Sequence, residues 1–99
     1  MRKFKNKETG IINSDTGTKC TYSTLMNIVI NQGKAGGFDY ADIEKRLAIS
    51  EAIKKAESKQ TIDIELEDDK FQYLKELILT TKWPFFHQDL LIFKEDIVK

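Results

Sequence analysis

The first 22 residues mix polar, β-branched and turn-forming residues without helical period, whereas most of the chain beyond them repeats its apolar positions at helical spacing. In the opening stretch, Glu8-Thr9-Gly10 and Asp15-Thr16-Gly17 are turn signals flanking Ile11 and Ile12. Short strands are expected around Lys3–Lys5, Gly10–Asn13 and Lys19–Tyr22, joined as a hairpin or small meander. Two strands alone are marginal in water, so Phe4, Ile11 or Ile12 and Tyr22 should lean on helices.

Ser23 or Thr24 then opens a short helix through Leu25, Met26, Ile28, Val29 and Ile30, with Gly33 as its C-terminal stop. The glycine-rich residues 33–37 form a connector into the longest helical pattern, Asp39 to Glu57, where Asp39 is a good N-cap and Asp42 suits the positive end of the helix dipole. At about 100° per residue its apolar positions fall into two groups. Tyr40, Ile43 and Leu47 share one face, and Ile49, Ala52, Ile53 and Ala56 lie opposite. The pattern predicts a central strut that changes its buried side halfway and meets different neighbours at its two ends.

Thr61 to Leu66 alternates strictly, which predicts a half-buried strand with Ile62, Ile64 and Leu66 inward and Asp63, Glu65 and Glu67 toward solvent. Glu67 to Asp69 supply a cap and negative charge for a helix of about 13 residues, closed by Trp83-Pro84 and turning Phe71, Leu74, Leu77 and Ile78 inward. After Phe85 and Phe86, Asp89 can cap a last helix from Leu90 to Val98 with Leu90, Phe93 and Ile97 on one side. The expected fold is mainly α, bordering on α+β. It is a small four-helix domain with a short N-terminal hairpin or meander and one extended segment near 61–66. A single domain spans 1–99, β-rich over 1–22 and helical over 23–99.

Composition adds few constraints. Sixteen basic residues balance sixteen acidic ones, so there is no global attraction to nucleic acid or anionic membrane, and little charge repulsion opposes self-association. Cys20 is the only cysteine, which excludes an internal disulfide and suits a reducing cytoplasm. No apolar run follows the basic start, and none approaches the ~18 residues of a membrane span, so a soluble cytoplasmic protein with no membrane partner is expected.

Candidate chemistry is sparse. Residues 33–37 precede a helix, but Lys34 comes before Ala35 and Asp39 would repel an anion, so a phosphate loop is not expected. Cys20 and His87 would have to meet across the fold, with a third group orienting the imidazole, to act as a nucleophilic pair. The acids at 63–69 lack the alternation and glycine of an EF-hand, and soft ligands for zinc are too few. No catalytic, cofactor-binding or metal-ligating residue is therefore assigned.

Two surfaces are left for protein binding. The first is the aromatic connector Trp83-Pro84-Phe85-Phe86, where a rigidified chain displays large rings, although aromatics dominate the cores of small domains and capping of the bundle's end over Leu79 and Leu90 is the stronger expectation for most of them. The second is the acidic edge of Asp63, Glu65 and Glu67. The alternative is a nucleic-acid-binding regulator that uses the basic Arg2, Lys3, Lys5 and Lys7 with the helix 39–57. Asp39, Asp42 and Glu44 at the start of that helix argue against its entering a groove.

Thr24-Leu25, Lys45-Arg46-Leu47 with Ile53, Ile64-Glu65-Leu66 with Asp68, and Leu74-Lys75-Glu76-Leu77 occur in an order that resembles small phage-encoded proteins of unassigned function over nearly the whole chain. These motifs mark core and caps. The resemblance implies a phage or prophage accessory protein without catalytic activity, in morphogenesis or on a host factor, in the host cytoplasm or associated with the virion. It transfers no functional residue. The expected partner is another protein, of phage or host, or a second copy.

Overall fold

The structure, a computed structural model, describes residues 2–13, 15–83 and 85–98. It contains β1 (Arg2–Lys5), β2 (Glu8–Ile12), β3 (Lys19–Thr21), α1 (Tyr22–Ile30), α2 (Tyr40–Ser58), β4 (Asp63–Leu66), α3 (Asp68–Thr80) and α4 (Gln88–Val98). Four helices and two small antiparallel two-stranded sheets make this an α+β arrangement. The sheets differ from a simple meander. β2 pairs with β3 as a hairpin, while β1 leaves it and pairs with β4, about sixty residues onward, in the register Lys3↔Glu65 and Phe4↔Ile64. The extended segment near 61–66 is thus the partner of the N-terminal strand. Of its three alternating apolar residues, Ile64 and Leu66 are buried, while Ile62 precedes the strand and is exposed.

The core gathers Leu25, Met26 and Val29 of α1, Ile49 and Ile53 of α2, Leu74 of α3 and Phe93 of α4, all essentially inaccessible. The N-terminal stretch leans on the helices through Phe4, whose ring lies 5.9 Å from Phe71, and Tyr22, edge-on to Phe93 at 5.1 Å. Ile11 is buried and Ile12 is not. An irregular register in the hairpin is stitched by Thr9, whose hydroxyl donates to the Cys20 carbonyl at 2.7 Å and accepts from the Ile11 amide.

Several helix ends differ from the sequence reading, each for a local reason. α1 begins earlier, because Thr21 is its cap. Its last residue is Ile30 and its C-cap is Asn31 rather than Gly33, and Arg46 of α2 donates to the carbonyls of Ile30 and Gln32 at 2.8 and 3.0 Å, satisfying that end. α2 ends in a Schellman turn. Thr61 donates back to Ala56, Gln60 donates to Glu57, and Gln60 takes the left-handed φ of 55° usually left to glycine. α3 stops at Thr80, before Trp83, where the Thr80 and Thr81 hydroxyls donate to the carbonyls of Glu76 and Leu77. α4 starts at Gln88, so Asp89 lies inside its first turn. Its carboxylate accepts from the Gly10 amide at 2.6 Å and closes the outer edge of β2.

The main correction concerns α2. Its buried side does not change halfway. Asp42, Arg46, Ile49, Ile53 and Ala56 succeed one another at steps of three or four residues along a single line. What changes is the chemistry of that line. Ile49, Ile53 and Ala56 enter the core against β4, α1 and α3, where truncating a buried isoleucine to alanine typically costs ~2–5 kcal/mol. The front two turns are held by polar groups. Asp42 accepts from Lys34 at 2.5 Å and from the Tyr73 hydroxyl at 2.8 Å, closes a capping box with Asp39, and Arg46 Nε donates to the same tyrosine oxygen at 3.2 Å. Tyr40, Ile43 and Leu47 consequently face solvent, with Tyr40 91 % and Leu47 58 % exposed.

The bonds from Lys34 and Tyr73 hold the Asp42 carboxyl well below the ordinary aspartate range, against a smaller opposing effect of burial. The unfolded chain, with an aspartate near about 3.9, takes up the proton first as pH falls. This group's contribution is therefore complete above that pH and is lost as pH drops toward the depressed folded value. Asp42→Asn should lower the thermal midpoint at neutral pH and flatten its decline between about pH 4 and pH 2 relative to wild type. Parallel midpoint–pH profiles would contradict the clamp.

Candidate functional site

The connector between α3 and α4 is short, and its start is fixed by Gln32, whose side chain donates to the Lys82 carbonyl at 2.8 Å. Its rings take different roles. Trp83 and Phe85 are half-buried and pack on the core, with Trp83 edge-on to Phe85 at 5.9 Å and to Phe93 at 6.3 Å. Phe86 is 97 % exposed. Leu79 of α3 and Leu91 of α4 stand nearby at 58 % and 62 %. Together these side chains border an open apolar groove of about 510 Å³ floored by Ile78, Leu90 and Phe93. Pro84 lies outside the described residues. The connector is thus divided between core and surface: Trp83 and Phe85 brace it so that Phe86 projects.

A second groove of about 430 Å³ lies on the other side of Phe85, between the β2–β3 hairpin and α1. Cys20 and His87 both line it, so the fold does bring them to one place. No hydrogen bond joins them. The Cys20 residue is buried at the hairpin, and His87 Nδ1 accepts the Asp89 amide at 3.0 Å at the mouth of α4.

The acidic and basic candidates turn out to face each other. The β1–β4 register sets Lys3 opposite Glu65 and Lys5 opposite Asp63, and Lys3 Nζ lies 3.3 Å from the Glu65 carboxylate. Glu67 caps α3 by position, without a side-chain bond to its amides, and lies 4.0 Å from Lys70. Arg2 stacks its guanidinium 4.8 Å over the Phe71 ring. Lys7 pairs with Asp96 at 3.2 Å, the carboxylate that also accepts the Tyr22 hydroxyl. Burial first, and then that bond, push the Tyr22 phenol well above its usual range. Among the described residues no cluster of metal-ligating side chains occurs, and no helix is long and apolar enough to cross a membrane.

Compared with protein-family models, curated proteins and solved structures, the chain matches none. The site is therefore argued from its own geometry. The sequence marked Trp83, Phe85 and Phe86 alike. It could not separate them, because their division depends on how the connector packs on Phe93 and the rest of the core, which no local window contains.

Truncating the two kinds of ring should separate them by stability. Trp83→Ala is expected to cost up to about 3 kcal/mol in urea unfolding, the low end for truncating a large aromatic. Phe86→Ala should stay within about 0.5 kcal/mol of wild type. Equal losses would contradict the division.

Proposed function

We propose that the protein is a small non-enzymatic module that binds another protein, with the α3–α4 connector as its contact surface. The observation that carries this reading is Phe86, a ring left almost wholly in water beside Leu79 and Leu91 while its neighbours Trp83 and Phe85 are anchored. A large ring on a braced support loses little conformational freedom on binding, and aromatic anchors next to apolar grooves are where binding energy concentrates. The acidic edge is a weaker candidate, because Asp63 and Glu65 already face the lysines of β1. That pairing engages Lys3, and Asp96 of α4 engages Lys7, two of the basic residues that a nucleic-acid reading needs.

The non-enzymatic part of the proposal is supported by His87, whose Nδ1 is engaged by a backbone amide instead of by a nucleophile. The resemblance to small phage-encoded proteins supports an accessory role in particle assembly or on a host factor. Wild type and Phe86→Asp, immobilised and exposed to lysate of the native bacterial host, test the proposal by mass spectrometry. A partner retained by wild type and lost by a variant of unchanged thermal midpoint is the expected result. A partner retained equally by both would refute the assignment of this surface.

A further inference from the structure

We propose that the groove between α3 and α4 takes an acidic amphipathic helix of the partner protein, with its apolar stripe on Leu79, Phe86 and Leu91 and its carboxylates on the groove's hydrogen-bond donors. This rests on the reading of the connector as a contact surface, and adds the chemistry of what binds there. The ground is the polar part of the lining. No carboxylate belongs to it, Glu95 beside Lys94 included. The other acids of α4 are turned to partners of their own: Asp89 accepts from Gly10 of β2, and Asp96 from Lys7 and Tyr22.

Three donors remain uncommitted. Lys94 is exposed and has no ion pair or hydrogen bond among the described residues, and the Trp83 indole N–H likewise donates to none of them. His87 supplies the third. Its Nδ1 accepts the Asp89 amide at 3.0 Å, so the neutral ring carries its proton on Nε2. Thr81, whose hydroxyl already donates to Leu77, and Gln88 complete the polar lining. His87, Leu91 and Lys94 follow one another at steps of four and three residues from the start of α4, along one side of the helix. Donor, apolar residue and cation thus lie in a line about 10 Å long, two turns at 1.5 Å per residue. A helix laid beside it meets all three with two acids about two turns apart and an apolar residue between them. A wholly apolar helix would desolvate these donors without pairing them, and a basic one would meet Lys94 with no acid in the lining to offset it.

The probe is a Leu/Glu peptide of helical period, with its Leu/Lys counterpart as control, titrated into ¹⁵N-labelled protein. The expected result is binding of the Leu/Glu peptide that weakens with salt, with the largest amide shifts within residues 78–94. Lys94→Glu, at an exposed position, should lower that affinity by about fivefold or more at low salt and turn the preference toward the Leu/Lys peptide, at an unchanged thermal midpoint. A wild-type preference for the Leu/Lys peptide, a preference unmoved by Lys94→Glu, or shifts centred elsewhere would overturn the proposal. A dimer seen by sedimentation without peptide and lost in Phe86→Asp would overturn it too, by giving the groove to a second copy. The two readings fail separately. Should the Leu/Glu peptide not bind while a host partner is still lost in Phe86→Asp, the contact surface stands and the acidic helix falls; a host partner retained by Phe86→Asp removes both.

Discussion

The rotation of α2 about its own axis is the constraint on which the rest of the molecule depends. Arg46 reaches across to close the end of α1, and Asp42 ties together the 33–39 connector, the first turn of α2 and Tyr73 of α3. With the front of the helix fixed in this way, Ile49 and Ile53 are carried into the space between α1, β4 and α3. A polar clamp and an apolar wedge on one line of one helix thus share the work of orienting three neighbours. Each satisfies what the other leaves open: the wedge supplies burial, and the clamp supplies partners for helix-end carbonyls that would otherwise lack them.

The second organising feature is the union of β1 with β4. It joins the start of the chain to its middle, carries Phe4 onto Phe71, and sets lysines against acids across the ladder. These exposed pairs are worth little individually, but they account for two clusters of charge that look like recognition surfaces when read along the sequence. Beside these pairs the fold leaves two exposed apolar features, the groove around Phe86 and the stripe of Tyr40, Ile43 and Leu47 on α2.

Much of this was legible in the residues. Asp39 as a cap, the inward sets Phe71, Leu74 and Ile78 and Leu90, Phe93 and Ile97, and the alternation at 63–66 follow from local periodicity, and the structure contains them. The pairing of β1 with β4 was not legible, because register between distant strands is set by packing that no local window contains. The orientation of α2 was misread for a different reason. A hydrophobic-face argument counts only apolar positions, so it gave Tyr40, Ile43 and Leu47 an interior that does not exist. The signal that could have corrected it was Asp42 and Arg46, four residues apart and in phase with Ile49 and Ile53. At the connector, composition marked the right segment, but the division between braced and projecting rings needed the tertiary structure.

Nuclear Overhauser contacts of the isoleucine and leucine methyls of α2 test the central claim most directly, since they report which side of the helix touches the rest of the chain. The account predicts contacts from Ile49 and Ile53 to α1, β4 or α3, and only intrahelical ones from Ile43 and Leu47. Contacts from Ile43 or Leu47 to another element of the same molecule would mean that the helix is turned the other way, and the clamp would then not be what sets its orientation.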